Sequence, residues 1–186
     1  MPVRLDTADA DFNARFDTLL AGKRESSVDV DTTVAGIIAD VRRRGDDAVV
    51  ELTNRFDRTS FTAADLRISA EEIARAAVSV SDEVRAALQT AHDRIQAHHE
   101  KQKPADHIYT DHLGVTLGSR WTPVDAVGIY VPGGLASYPS SVLMNAVPAK
   151  VAGAGRIAMV VPTPDNQINP AILLAAKIAG VTEIYR

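Results

Sequence analysis

The sequence predicts an α/β fold, in which a helical N-terminal region with a small β element precedes a parallel-sheet βαβαβ unit. In the first 123 residues, apolar side chains recur mainly at spacings of three and four, which is typical of amphipathic helices. From residue 124 onward, short continuous apolar runs alternate with helical stretches, as in buried parallel strands and their crossovers. We therefore place a domain boundary near Pro123, between residues 1–123 and 124–186.

The first two predicted helices meet at Gly45. Asp31 and Thr32 are candidate caps at the start of the first helix, and Gly45 is expected to end it. Its apolar face consists of Val34, Ile37, Ile38 and Val41, at positions i, i+3, i+4 and i+7. Acidic residues follow Gly45 and suit the positive end of a helix dipole, so a second helix is expected there. Its apolar face consists of Val49, Leu52 and Phe56.

Two further helices are predicted from their capping residues. Ser69 and Glu72 form a capping box, so a third helix is expected to begin near Ala70. Ser81 opens a fourth, which ends at the polar segment before Pro104 and is expected to be the longest helix of the chain. Its apolar stripe consists of Val84, Ala87, Leu88, Ala91 and Ile95.

After His107 the period of the sequence changes to two. Short β-rich runs around Gly114 and Gly118 predict a hairpin. The remaining chain predicts strand, helix, strand, helix and strand, at 124–131, 140–154, 156–162, 170–179 and 182–186. Because parallel sheets are normally covered on both faces, we expect this Rossmann-like (βαβαβ) domain to be incomplete in this chain, and its apolar surface to promote self-association.

Composition excludes several classes of function. The formal net charge of -4 leaves no basic surplus for binding nucleic acid. Cysteine is absent, which excludes disulfides, thiolate nucleophiles and cysteine-type zinc sites. The N-terminus lacks the apolar core of a signal peptide, and no stretch is apolar enough for a membrane span. A cytoplasmic protein that acts on small molecules, without nucleic-acid or membrane partners, is therefore expected.

The stretch YVPGG, from Tyr130 to Gly134, lies where the first parallel strand is expected to end. Open α/β sheets bind ligands at the C-terminal ends of their strands. Gly133 and Gly134 permit close approach of a ligand to the backbone, and Pro132 fixes the entry to the turn. The spacing is neither that of a dinucleotide-binding glycine motif nor that of a P-loop. A tight turn without a ligand is therefore an equally good reading.

The five histidines do not form a pattern typical of a metal site. His92 and His99 are seven residues apart on one predicted helix, about 10.5 Å at 1.5 Å per residue, too far to share one zinc ion. His98 points to a different side from its neighbour, and His107 and His112 lie in the hairpin without a carboxylate partner. Solvated or capping roles are therefore expected for all five.

The serines after the glycine pair do not indicate a hydrolase. Ser137, Ser140 and Ser141 lie outside any G-x-S-x-G elbow, and the sequence places no base beside them. Either Ser140 or Ser141 is expected instead to cap the next helix.

Three stretches carry a resemblance to a known family. The run VGIYVPGGLASYPSSVLMNAVPAKVAGAGRIAMVVPTP resembles histidinol dehydrogenases, with a VGxYvPGG opening and an S-x-VLMxAxPAxxAG helix. RRRGDDAVVELTNRFDRTSF and ISAEEIARA resemble the N-terminal helical region of that family, in the same order and at similar spacing. The resemblance covers nearly the whole chain from about Asp31.

The resemblance implies an activity and a cofactor site. That family oxidises L-histidinol through an aldehyde to L-histidine, reduces two NAD molecules, and forms a homodimer with one zinc ion per subunit. Tyr130 matches its NAD-contacting tyrosine, with Pro132, Gly133 and Gly134 beside it. The family's zinc ligands and its catalytic Glu-His pair belong to segments that would follow Arg186. The resemblance thus implies that residues 1–186 hold no catalytic or metal-binding residue, and that alone they neither reduce NAD nor bind stoichiometric zinc.

Two alternatives remain open from the sequence. One is a free-standing module that binds a nucleotide or a phosphate group without chemistry. The other is an interaction protein whose helical N-terminal half mainly mediates dimerisation and leaves apolar surface on the isolated chain.

Overall fold

A computed structural model of the protein describes residues 3–133 and 138–186, and for residues 22–29 the backbone only. The described part is α/β, as the sequence predicts. It forms two compact units, Met1–Val49 and Val50–Arg186. The predicted boundary near Pro123 falls within the second unit. The division into domains at residues 123 and 124 therefore stays a prediction. No helix in the described ranges is both long and apolar enough to cross a membrane.

The first unit contains helix α1 (Phe12–Arg44), which is much longer than the sequence predicted. Its N-cap is Asp11, so Asp31 and Thr32 lie within the helix rather than at its start. No proline interrupts this stretch, and an isolated glycine within a helix is tolerated at modest cost, so the helix continues through residues that often act as caps. Two side chains of the predicted apolar face are largely exposed, Val34 at 45% and Ile38 at 46%.

Three more helices follow: α2 (Asp46–Asp57), α3 (Ala70–Ser79) and α4 (Asp82–Glu100). Ser69 caps α3 by accepting a hydrogen bond from the backbone N–H of Glu72, and Ser81 caps α4 in the same way. Both predicted starts are confirmed. The expectation that the fourth helix is the longest is wrong, because α4 has 19 residues and α1 has 33.

The predicted hairpin is confirmed. Strands β1 (His107–Thr110) and β2 (Thr116–Ser119) pair antiparallel. Gly114 adopts a φ of 81° in the connecting turn, a left-handed conformation that glycine adopts without strain. The carboxylate of Asp111 accepts hydrogen bonds from the backbone N–H groups of Leu113 and Val115, which stabilises the turn.

The βαβαβ unit is also confirmed. Strands β3 (Ala126–Tyr130), β4 (Arg156–Val160) and β5 (Glu183–Tyr185) lie side by side in that order, all parallel. Helices α5 (Pro139–Ala152) and α6 (Pro170–Ile178) connect them. Because consecutive right-handed crossovers in one direction place their helices on one side, α5 and α6 share a face of the sheet.

The core lies between this face and the helices. Helix α5 contacts β3 and β4, α3 packs on α6, and α4 packs on both α5 and α6. The buried strand residues that face these helices are Ile129, Ile157, Met159 and Ile184. Their alternation with exposed residues follows from the period of two in a strand.

The opposite face of the sheet, which we call the open face, has no helix of the second unit packed on it among the described residues. Tyr130 is 63% exposed there and Val160 is 43% exposed. The strand residues of the open face are Ala126, Gly128, Tyr130, Arg156, Ala158, Val160, Glu183 and Tyr185. Arg156 and Glu183 form an ion pair on this face.

The edge of β5 is covered by residues 66–68, which pair with it through their backbones. The sequence analysis did not predict an extended segment there. The backbone N–H of Ile68 donates to the carbonyl of Ile184, and that of Arg186 donates to the carbonyl of Leu66. The guanidinium of Arg186 also pairs with Glu72 and lies over the ring of Phe61. These contacts protect an edge that would otherwise carry unpaired backbone groups.

Glu183 provides a test of this packing through pH. Its carboxylate accepts hydrogen bonds from Arg156, at 2.6 and 3.0 Å, and from the hydroxyl of Tyr185, at 2.7 Å. The hydrogen bond from Arg156, followed by that from Tyr185, lowers the pKa of Glu183 from 4.5 to about 2. Because the folded-state pKa is lower than the unfolded-state value, the carboxylate stabilises the fold above about pH 4.5, and this contribution is lost as the pH falls through about 2.

We therefore expect Glu183→Gln to lower the free energy of unfolding at pH 7, and the difference from the unsubstituted chain to shrink between pH 4.5 and pH 2. Urea denaturation across this pH range measures the difference. A difference that stayed constant with pH would contradict the role given to the carboxylate.

Candidate functional site

The candidate site lies where the parallel strands end. The backbone N–H of Val131 donates to the carbonyl of Val160 at 2.9 Å, and that of Val161 donates to the carbonyl of Tyr185 at 3.0 Å. These bonds extend the pairing one residue beyond β3 and β4. The loops that follow the two strands therefore start at the same edge of the sheet, where open α/β folds bind their ligands.

Tyr130 is the last residue of β3 and projects onto the open face. In the register of the sheet it lies beside Val160, which lies beside Tyr185. The side chain of Tyr130 is therefore accessible both as an aromatic surface and through its hydroxyl, the two features that a ring-containing polar ligand can use.

The turn after Tyr130 is described only in part. Pro132 is exposed and Gly133 is half-buried, whereas Gly134 lies outside the described residues. A Cβ atom on Gly133 would lie 2.3 Å from the carbonyl oxygen of Pro162, in the loop after β4. The absence of a side chain at Gly133 therefore accommodates a neighbouring loop. This favours the tight-turn role for Gly133 and leaves its contact with a ligand a prediction.

The predicted cap of α5 is wrong. The N-cap is Tyr138, and Ser140 and Ser141 lie inside the helix. Pro139 occupies the first turn, where its fixed φ suits a helix start and its missing N–H costs nothing. The helix therefore begins upstream of both serines. Ser137 lies outside the described residues.

The loop after β4 is held by the end of α2, which sequence reasoning missed. The backbone N–H of Thr163 donates to the carboxylate of Asp57 at 3.2 Å. Arg58 donates to both carboxylate oxygens of Asp165, at 2.8 and 2.5 Å. These partners are 106 and 107 residues apart, and no local pattern in the sequence indicates such a pairing.

The histidines make local contacts. The ring of His92 hydrogen-bonds the carboxylate of Asp93 at 2.8 Å, and that of His99 hydrogen-bonds the side chain of Gln102 at 2.7 Å. Within the described ranges, no group of three or more His, Cys, Asp or Glu side chains could hold a metal ion. The described residues therefore do not fit a zinc ion. The resemblance assigns the ligands of that ion to segments that would follow Arg186.

A cavity of about 380 Å³ lies near the C-terminal ends of α4 and α5. Its lining includes the segment that precedes β3, so it is near the N-terminal end of that strand. Its lining includes His99, Lys103, Trp121, Pro123 and Val151. It lies away from the C-terminal ends of the strands, where ligands of α/β sheets bind.

Comparisons with known proteins give a consistent result. The family model described as histidinol dehydrogenase matches residues 20–186. A histidinol dehydrogenase from Ruegeria pomeroyi is 61% identical over 186 residues, which are all of this chain and 43% of that protein. One from Rhodospirillum rubrum is 56% identical over the same shares. The crystal structure of histidinol dehydrogenase from Elizabethkingia anophelis has a TM-score of 0.79 and 35% identity, and the match covers 84% of this chain and 36% of that one.

Proposed function

Because the chain belongs to the histidinol dehydrogenase family, we propose that the whole protein that carries it oxidises L-histidinol through the aldehyde to L-histidine, with NAD as the oxidant, in histidine biosynthesis. The chain spans 43% of the length of the curated relatives that it matches. The observation that supports a role for this part is the exposed side chain of Tyr130 at the end of a parallel strand.

In this proposal, Tyr130 binds and orients NAD. Its ring offers a flat apolar surface and its hydroxyl can donate or accept one hydrogen bond. Pro132, Gly133 and Gly134 are proposed to contact NAD beside it. The loop after β4 packs against Gly133, and Gly134 lies outside the described residues. NAD, when bound, supplies the hydride acceptor for the two oxidation steps.

Zinc and the catalytic residues are assigned to other parts of the whole protein. Because the described residues do not fit a zinc site, we derive no catalytic step from zinc for this chain. The general base is likewise proposed to lie outside residues 1–186.

We further propose that the whole protein is a cytoplasmic homodimer without nucleic-acid or membrane partners. Apolar side chains on α1 are available for contact with a second chain, since they are exposed in this one: Phe16, Leu19, Leu20, Val30, Val34 and Ile38. The net charge of -4 on residues 1–186 leaves no basic surplus for binding nucleic acid.

A direct spectrophotometric assay tests the activity. The whole protein is supplied with L-histidinol and NAD, and NADH is followed by absorbance, before and after zinc is removed with a chelator and restored. We expect about two NADH per histidinol, loss of turnover without zinc, and recovery on its return. The 186-residue chain alone is expected to show no turnover and no stoichiometric zinc. Binding of NAD by the whole protein without turnover would instead support the non-catalytic nucleotide-binding module.

A further inference from the structure

We propose that Asp57 and Arg58, at the end of α2, are positioning residues for cofactor binding, because they hold the loop after β4 against the turn at Gly133. This inference rests on the proposed function, since it concerns the same strand ends. It assigns a role to two residues that are distant from Tyr130 in the sequence and that hold the loop after β4, which in turn contacts Gly133.

Asp57 satisfies a backbone group that is buried. Thr163 is 0% exposed, so its backbone N–H is removed from water, and the half-buried carboxylate of Asp57 accepts its hydrogen bond at 3.2 Å. A buried donor that loses its acceptor is unfavourable, and the backbone around it shifts to find another. Asp57 therefore fixes the position of Thr163.

Arg58 fixes the same loop two residues further along. Its guanidinium donates to both oxygens of Asp165, an arrangement that sets orientation as well as distance. The pair is exposed, at 63% for Arg58 and 60% for Asp165, so it contributes little to global stability. Its contribution is to the geometry of the loop.

The backbone is left-handed at both residues of this ion pair. Arg58 and Asp165 both have a φ of 55°, and Asn166 has a φ of 57°. Left-handed backbone is uncommon for arginine, whereas Asp and Asn adopt it more readily. Of the two ends of the ion pair, Arg58 therefore carries the strain, which its bonds to Asp165 help to maintain.

The position of the loop is transmitted to the cofactor turn by a direct contact. Pro162 immediately precedes Thr163, and its carbonyl oxygen occupies the space that a side chain on Gly133 would fill. Backbone packed this closely leaves no gap that could absorb a movement of the loop. Displacement of Thr163 therefore displaces Gly133, which lies three residues after Tyr130.

Steady-state kinetics of the whole protein test this inference. We expect Asp57→Ala and Arg58→Ala each to raise the KM for NAD by about threefold to tenfold, with kcat and the KM for L-histidinol changed less than about twofold. Asp57→Asn keeps an oxygen that can accept the bond from Thr163, and is expected to restore the KM of the unsubstituted protein. Arg55→Ala, within α2, is the matched control, since Arg55 is exposed and lies over the ring of Phe56.

The outcomes separate this inference from the proposed function. If both variants keep the NAD KM of Arg55→Ala while Tyr130→Ala raises it, the positioning role is wrong and the cofactor site stands. If Tyr130→Ala also leaves the NAD KM unchanged, the cofactor site itself is wrong, and the inference with it. Should Asp57→Ala fail to fold, Arg58→Ala decides the matter, because it removes an exposed ion pair and retains the Asp57 carboxylate that accepts the bond from Thr163.

Discussion

Replacing Gly133 with alanine is expected to lower the free energy of unfolding of this chain by about 2–3 kcal/mol, as for other overpacked sites. The added Cβ would lie 2.3 Å from the carbonyl oxygen of Pro162 and 3.1 Å from its carbonyl carbon. Both neighbours are backbone atoms, so no side chain can rotate to relieve the contact. Either the turn after β3 or the loop after β4 must move.

Gly128, in the middle of β3, is the matched control for this substitution. A Cβ at Gly128 would have no atom within 4 Å, and Gly128→Ala is therefore expected to leave the stability unchanged or to raise it by up to about 1 kcal/mol. Urea denaturation of the three proteins measures both effects. Equal midpoints for Gly133→Ala and Gly128→Ala would show that the contact with Pro162 does not constrain the fold.

Most of the secondary structure could be predicted because its signals are local. Ser69 and Ser81 cap their helices through bonds to residues three positions away, and the sequence shows such spacing directly. The three parallel strands could also be predicted, because each is a short apolar run between more polar loops. The start of α1 was predicted wrongly because residues that favour caps do not end a helix by themselves.

The contacts that shape the candidate site could not be predicted from local patterns. Thr163 and Asp57 are 106 residues apart, and Leu66 and Arg186, which pair through their backbones, are still farther apart in the sequence. Such contacts depend on tertiary packing. A single sequence has no repeating pattern that indicates which distant residues will meet. Tyr130 was identified through a resemblance to a family, whereas its position on the open face emerged only from the register of the sheet.

Tyr130→Ala has the largest effect that we expect on function. In the whole protein it should raise the KM for NAD by about tenfold, equivalent to ~1.4 kcal/mol of lost binding, with little change in kcat. The physical reason is the loss of an exposed aromatic surface and hydroxyl at the strand end. Zinc content should be unchanged, because the zinc ligands are proposed to lie outside residues 1–186.

The most direct test of the cofactor site is therefore the KM for NAD in three forms of the whole protein: unsubstituted, Tyr130→Ala and Tyr109→Ala. Tyr109 is a suitable control because it is a similarly accessible tyrosine, 48% exposed, but lies in the hairpin. We predict a rise of about tenfold for Tyr130→Ala and no change for Tyr109→Ala. An NAD KM for Tyr130→Ala equal to that of the unsubstituted protein would contradict the assignment of this strand end to the cofactor.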